Sequence, residues 1–155
     1  MILVHEIKIE LVAYDDPAVQ LLLAEVMDEL AQRYGGSGDD TPVAAADFAA
    51  PLGAFYVADD GDRLIGCAGW RGHGDDAELK RMFTTKAARG RGLARRLLAT
   101  IEESARAAGC RRVILETGGK QPEAIALYES AGYHRIADFG YYKDHDDVLS
   151  YAKAL

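Results

Sequence analysis

Apolar and polar positions alternate at the beginning of the chain, and short apolar runs return at intervals to its end. The segment 6–13, EIKIELVA, alternates with the period of a strand that is buried on one face. Two apolar runs within 53–72, separated by the turn sequence DDGD at 59–62, predict a hairpin. Further short apolar runs predict more strands, and these lie at 77–84, 111–117, 133–140 and 148–155.

Segments with the apolar spacing of helices lie between these strands. The longest has Pro17 in its first turn, Asp15 or Asp16 as its cap and Gly35 at its end, which are typical helix boundaries. In another segment, leucines, an isoleucine and alanines form one apolar face at helical spacing. The predicted helices cover 15–36, 43–50, 91–108 and 121–132.

This order of elements predicts a mixed sheet covered by helices, an α/β fold of the α+β type. The chain has 155 residues, of which 49% are apolar, so we expect one domain over 1–155 with one sizeable core. The start, MILVHEIKIE, lacks the basic lead of a signal peptide, and no segment has the roughly 20 apolar residues that a membrane span needs. The sequence therefore predicts a soluble cytoplasmic protein.

The charges are unevenly distributed along the chain. Eighteen basic and 25 acidic residues give a net charge of −7, which disfavours nucleic-acid binding because that depends on neutralising phosphates. Seven of the basic residues nevertheless fall between Lys80 and Arg96, and no acid interrupts them. A local basic patch on an acidic protein suits a small polyanion. The four histidines are scattered without the spacing of metal ligands, so we expect no metal site.

The basic patch joins a predicted strand to the start of a predicted helix. Unpaired amides and the positive end of the helix dipole meet there, and Gly90 and Gly92 allow a close approach to the backbone. We interpret this loop as a pyrophosphate cradle, with an ordinary basic surface turn as the alternative. The phosphate loop of ATPases has another spacing, and Arg95 stands where a dinucleotide fingerprint needs Gly or Ala.

Two motifs in this half of the chain resemble those of the GNAT family of N-acetyltransferases, over about 76–137. The first is RGRGLA, which fits Q/R-x-x-G-x-G/A, and the second is QPEAIALYESAGY, which fits N-x-x-A-x-x-L-Y-x-x-x-G-F. The sequence departs from the second pattern at Gln121, where the family usually has Asn, and at Tyr133, which replaces Phe. The matching positions are Arg89, Gly92, Ala94, Ala124, Leu127, Tyr128 and Gly132.

The resemblance implies a fold and a co-substrate. The fold is a mixed, mostly antiparallel sheet of about six to seven strands with a splayed central parallel pair, flanked by about four helices. The co-substrate is acetyl-CoA, whose pantetheine arm lies in the splay while loop amides hold its pyrophosphate. The implied cofactor-binding residues are Met82, Phe83, Thr84, Arg89, Gly90, Arg91, Gly92, Leu93, Ala94, Arg95 and Gln121.

The resemblance also implies direct attack by an amine on the thioester in a ternary complex, with Tyr128 as the acid that protonates the leaving thiolate. A tyrosine that only packs in the core is the alternative, since Tyr128 lies four residues after Ala124 on an apolar face. Glu78 is the candidate base, because it lies eleven residues before Arg89, as in histone-acetylating relatives. A solvent-facing glutamate, or one paired with Lys80, is the alternative there.

We expect the acceptor to be a primary amine of a small molecule or peptide, and the resemblance also makes a homodimer an expectation. The acidic segments 72–76 and 139–147 suggest an acidic mouth that attracts a cationic amine. Three alternatives stay open: a non-catalytic CoA-binding module of the same fold, transfer of a longer acyl group, and a nucleotide-binding oxidoreductase that uses the Gly90–Gly92 turn.

Overall fold

A seven-stranded sheet forms the centre of the protein in a computed structural model that describes residues 6–36 and 38–155. The strand order is β1-β2-β3-β4-β5-β7-β6. All neighbouring strands are antiparallel except β4 and β5, which are parallel, so the expected mixed sheet with a central parallel pair is confirmed. The strands are β1 (Lys8–Leu11), β2 (Gly53–Asp59), β3 (Leu64–His73), β4 (Asp76–Thr84), β5 (Arg112–Gly118), β6 (His134–Arg135) and β7 (Val148–Ala154).

In the described part of the chain three α-helices lie on the sheet, so the helix count differs slightly from the expected four. They are α1 (Pro17–Tyr34), α2 (Leu93–Ala107) and α3 (Pro122–Ser130). The segment 43–50 forms only a short 3-10 helix at Ala45–Phe48, where the Asp47 carboxylate accepts a hydrogen bond from the Ala44 amide at 2.9 Å. A second 3-10 turn covers Lys86–Ala88. The short helix at Ala45–Phe48 is capped by its own Asp47, and Pro51, which follows soon after it, disfavours any extension.

The predicted strand at 133–140 is much shorter in the structure. Pairing with β7 ends soon after β6, where the Ile136 amide donates to the Ser150 carbonyl at 2.9 Å. The Ser150 hydroxyl then donates to Asp138 Oδ1 at 2.7 Å, so a side-chain hydrogen bond replaces the backbone pairing of the strands. The residues that follow form turns held by local backbone hydrogen bonds, and these make up the 139–147 loop.

The core has one part on each face of the sheet. The face under α2 buries Leu97, Leu98 and Ile101 of that helix, which confirms the predicted apolar stripe. The other face buries Val19, Leu22, Leu23 and Val26 of α1. Burying each such side chain contributes about 1.5–3 kcal/mol, which fixes both helices against the strands that they cover.

The parallel strands β4 and β5 separate within the sheet. Their register contains two pairs, Ala77 with Val113 and Glu78 with Ile114, although both strands continue beyond these pairs. On the other side of β4 the register with β3 shifts between Cys67 and Gly69, and Arg81 has a φ of 56°. Such a bulge bends a strand, and it turns the end of β4 away from β5.

Candidate functional site

A cavity of about 670 Å³ lies between the separated ends of β4 and β5. Its lining includes the start of α2, one side of α3, part of α1 and the 139–147 loop. We call the part formed by the start of α2 and by α3 the cofactor side, and the part formed by the segment after α1 and the 139–147 loop the acceptor side. Of the residues predicted for the site, those lining this cavity are Met82, Phe83, Thr84, Arg89, Gly90, Gly92, Leu93, Ala94, Arg95, Gln121 and Tyr128.

The backbone on the cofactor side is open to a ligand. Gly90 and Gly92 have φ values of 81° and 75°, a conformation that glycine adopts without strain. A Cβ atom added at either position would meet nothing within 4 Å, so free space lies above both. Gly92 is also the N-cap of α2 and supplies no side-chain hydrogen bond to its first turn. The amides of this turn and the helix dipole can therefore bind an anion.

The arginine side chains near this loop make contacts within the protein. Arg89 Nη2 lies 2.6 Å from Glu29 Oε1 on α1, and Arg95 Nη2 donates to the Ser130 hydroxyl at 2.7 Å. Arg91, the predicted cofactor residue outside the cavity lining, donates to the Ala87 carbonyl at 3.1 Å. Arg89 and Arg95 thus connect this region to α1 and α3, and Arg91 bonds within the loop.

Gln121 stands immediately before α3 and lines the cavity. It is the N-cap of that helix, yet its side chain makes no capping hydrogen bond. Its amide group therefore keeps its donor and acceptor for a ligand in the cavity.

Tyr128 lies both in the core and on the cavity wall. It is 7% exposed and packs edge-on against Tyr133, with ring centroids 5.8 Å apart. Burial raises the pKa of the Tyr128 hydroxyl above its ordinary value, because the charged form is poorly solvated there. The group stays protonated at neutral pH and can donate a proton into the cavity, while its ring packs as a core residue.

Glu78 has a different partner from the one that the sequence suggests. Its Oε1 lies 3.0 Å from Arg71 Nε, because the two residues face each other in the register of β3 and β4. Lys80 instead donates to the Thr41 hydroxyl at 2.9 Å. Glu78 is 3% exposed and borders a separate groove beside the β3–β4 turn. The structure thus holds it in an ion pair, and its role as a base stays a prediction.

Glu116 is a carboxyl on the cavity wall that was not among the predicted site residues. It follows the last residues of β5 that pair with β4, so it reaches the region where these two strands have separated. Its Oε2 accepts a hydrogen bond from the Tyr142 amide at 3.0 Å, whereas Oε1 is buried without a hydrogen-bond partner. The only signal in the sequence is one acid in the apolar run RRVILETG, which is equally typical of a strand reaching solvent.

Several neighbours act on the Glu116 carboxyl. Burial raises its pKa, and the negative charges of Glu78 and Asp39 act in the same direction. The Tyr142 amide and the Lys80 charge oppose this rise, but the net shift is upward. A carboxyl with a raised pKa beside a cavity is suited to accept a proton near neutral pH.

Asp39, which follows α1, connects the elements of the acceptor side. Its Oδ2 pairs with Arg81 Nη1 at 2.5 Å and Lys80 Nζ at 3.4 Å, and its Oδ1 accepts from the Tyr142 hydroxyl at 2.9 Å. Burial opposes its ionisation, but the charges of Lys80 and Arg81 and two hydrogen bonds from Thr41 hold the pKa of Asp39 well below its usual range. It is therefore a permanent anion that compensates two buried cations.

One of the two acidic segments expected to form an acceptor mouth lies elsewhere. In 72–76, Asp75 pairs with Arg111 and Asp76 with Arg112, and the segment borders the groove that holds Glu78. The 139–147 loop does line the cavity, through Tyr142, His145 and Asp147. The charge of the 72–76 turn is thus compensated locally.

Among residues 6–36 and 38–155, no helix has the length and apolar character needed to cross a membrane. Over the same ranges, no three His, Cys, Asp or Glu side chains are grouped to hold a metal ion.

Known acetyltransferases resemble this chain in sequence. A family model described as the acetyltransferase (GNAT) family matches residues 23–133. An IAA acetyltransferase of Azospirillum brasilense is 42% identical over 90 residues, which are 57% of this chain and 59% of that protein's length. The N-acetyltransferase YjgM of Escherichia coli (strain K12), itself uncharacterised, is 31% identical over 134 residues, 79% of this chain and 78% of that protein.

Solved structures share the fold over nearly the whole chain. A GNAT-family acetyltransferase from Staphylococcus aureus Mu50 has a TM-score of 0.79 at 19% identity and covers 96% of this chain and 99% of its own. A Bacillus subtilis acetyltransferase in complex with CoA has a TM-score of 0.69 at 17% identity and covers 97% of this chain and 99% of its own.

Proposed function

This chain belongs to the GNAT acetyltransferase family, and from that premise we propose that it transfers the acetyl group of acetyl-CoA to a primary amine of a small molecule or peptide. The observation that carries the proposal is the cavity between β4 and β5. It joins an open glycine loop at a helix start to a tyrosine hydroxyl and a carboxyl with a raised pKa.

The cofactor side fits a pyrophosphate attached to a thin chain. The amides of 89–95 and the uncapped start of α2 would bind the pyrophosphate, supported by the free space above Gly90 and Gly92. The end of β4 at Met82, Phe83 and Thr84 would offer backbone groups to the arm, since β5 has separated from it there. The Gln121 amide would take the place of the asparagine usual in the family.

The acceptor side supplies the proton transfers. As the amine nitrogen attacks the thioester carbonyl carbon, a C–N bond forms and the C–S bond breaks. Glu116 takes the proton that the amine nitrogen loses, directly or through a water, and Tyr128 gives its proton to the leaving thiolate. Attack within a ternary complex needs no covalent intermediate on the protein. Glu78 remains the second candidate base, although its pairing with Arg71 favours Glu116.

Cofactor binding and catalysis need separate experiments. Thermal unfolding is followed with acetyl-CoA, and with NADH as the control. A ligand at a hundredfold excess over its dissociation constant stabilises the folded protein by about 2.7 kcal/mol, so stabilisation by acetyl-CoA alone is expected. Stabilisation by NADH alone would instead favour the oxidoreductase reading.

Release of free thiol from acetyl-CoA is then measured against a panel of amines. Amine-dependent release is expected, and Tyr128→Phe should lower kcat because it keeps the ring and removes only the hydroxyl. Stabilisation by acetyl-CoA without thiol release for any amine would leave a non-catalytic CoA-binding module. A Tyr128→Phe variant as fast as wild type would remove the acid role.

A further inference from the structure

The 139–147 loop contacts the segment after α1 through the side chain of Tyr142. Its hydroxyl donates to Asp39 Oδ1 at 2.9 Å and accepts from the Asp40 amide at 2.7 Å. Its ring packs edge-on against His145 and lies 5.9 Å from Lys80 Nζ. The two segments are about a hundred residues apart in sequence, so this contact fixes how the acceptor side closes.

The same loop binds one oxygen of Glu116 and passes close to the other. The Tyr142 amide donates to Oε2 at 3.0 Å. Two residues earlier the loop passes so close to Oε1 that a Cβ atom on Gly140 would overlap it. The orientation of the Glu116 carboxyl therefore depends on where the loop backbone lies, and the hydroxyl of Tyr142 fastens that backbone to Asp39.

Asp39 is itself held rigidly. Arg81 stands at the bulge of β4, and its guanidinium reaches Asp39 Oδ2 at 2.5 Å and the Thr41 carbonyl at 2.9 Å. Lys80 adds a second cation at 3.4 Å. A partly buried anion between two buried cations is costly to displace, so Asp39 is a firm point of attachment.

We propose that Asp39 and Tyr142 are positioning residues that hold the 139–147 loop against β4 and thereby fix the Glu116 carboxyl at the cavity wall. The inference rests on the proposed function, in which Glu116 takes the proton of the acceptor amine. Neither residue needs to touch the reacting atoms, because each acts through the loop backbone.

The charged and titratable surroundings of Glu116 determine the sign of the test. On β4 these are Glu78 and Lys80, after α1 it is Asp39, and on the loop they are Tyr142, His145 and Asp147, which line the same cavity. Burial and the two carboxylates raise the pKa of Glu116, whereas the Tyr142 amide and Lys80 lower it. Because burial is the largest of these effects, loosening the loop that covers Glu116 should lower this pKa toward its ordinary value, and removing the Asp39 charge should lower it as well.

The first test is Tyr142→Phe, which keeps the ring and removes the hydroxyl that binds Asp39. Loss of one positioning hydrogen bond should lower kcat by roughly tenfold. The acid limb of the pH profile should move to lower pH, because water reaches the Glu116 carboxyl once the loop loosens, and burial is the largest cause of its raised pKa. The KM for acetyl-CoA should stay unchanged. Tyr141→Phe is the matched control, since Tyr141 is its exposed neighbour on the loop.

The second test is Asp39→Asn, which keeps an oxygen for the Tyr142 hydroxyl and removes the charge. Here the acid limb should move to lower pH, because an anion that opposes ionisation of Glu116 is gone while Lys80 remains. Tyr141→Phe should change neither kcat nor the acid limb, so a shift in that control variant as well would indicate general loosening of the site and overturn the inference. If Asp39→Asn does not fold, the Tyr142→Phe profile decides alone.

Tyr142→Phe with wild-type kcat and an unmoved acid limb overturns the inference, and so does a fall in kcat with no shift of the limb. Wild-type protein that acetylates none of the amines overturns the proposed function itself. The two failures are therefore told apart by the activity of the unsubstituted protein.

Discussion

The two sides of the cavity differ in the chemical groups that form them. The cofactor side consists mainly of backbone: two glycines, the amides of an uncapped helix start and the end of a strand. The acceptor side consists of side chains from distant parts of the sequence, with Asp39 contacting Tyr142, and Tyr142 contacting Glu116. Short local patterns can encode the first kind of site, whereas the second exists only after the chain has folded.

Glu116→Gln, on the acceptor side, is the substitution for which we expect the largest difference between the two sides. Loss of a general base should lower kcat by about 100-fold or more, whereas stabilisation by acetyl-CoA should be retained. In wild type, activity should fall as the pH drops through the pKa of Glu116, which lies above that of an ordinary glutamate. Steady-state rates over a pH series test this. Unchanged kcat, with the acid limb intact, would return the base role to Glu78 or a water chain.

A substitution at Gly92 should break the cofactor side alone. Gly92→Ala places a side chain at a φ of 75° and fills the space above the loop, so the affinity for acetyl-CoA should fall by roughly tenfold. Gly109→Ala is the matched control, because Gly109 follows the other end of α2 with a φ of 87° and open space around it. Both variants should lose about 1 kcal/mol of stability.

Titration calorimetry with acetyl-CoA distinguishes the two glycine variants. Equal loss of affinity in both would mean that helix stability, and not the loop itself, controls binding.

Glu78→Gln sharpens the contrast between the two candidate bases. The ion pair with Arg71 is largely buried, and Arg71 keeps the Pro42 carbonyl as a partner at 2.9 Å. We expect a loss of about 1–3 kcal/mol in the free energy of unfolding and a smaller fall in kcat than for Glu116→Gln. Denaturant unfolding beside steady-state kinetics checks both. A stable variant with a hundredfold lower kcat would reverse the assignment.

The smallest effect is expected for Arg89→Ala. Its pair with Glu29 is partly exposed, so its loss should cost about 0–1 kcal/mol of stability. If backbone amides hold the pyrophosphate, affinity for acetyl-CoA should fall only a few-fold, as in the comparison variant Arg91→Ala. A loss as large as that of Gly92→Ala would show that the guanidinium leaves Glu29 to bind the cofactor.

The sequence predicts the features that depend on residues close together along the chain. The apolar face of α2 and the glycines at its start follow from local spacing and backbone conformation, and the structure has them at the predicted places. The segment 43–50 and the strand at 133–140 were overestimated, because the self-capping Asp47 and the contact of Asp138 with Ser150 end them early. The secondary-structure propensities of single residues do not account for such contacts.

The acceptor side shows the same limit for individual residues. Glu78 pairs with Arg71 because of the register of β3 on β4, and a reading along β4 alone points to Lys80. Glu116 matters only because β5 separates from β4 just before it, and because the 139–147 loop returns to cover it. Both facts are properties of the assembled sheet.

The separation of β4 and β5 creates two edges in the middle of a sheet. Exposed strand edges commonly invite pairing with other polypeptides, and proteins protect them to avoid aggregation. Here α2 and α3 lie on one side of the gap, and α1 and the 139–147 loop on the other. These covers shield the two edges from other polypeptides. The cavity of about 670 Å³ between them leaves the strand ends open to a small molecule.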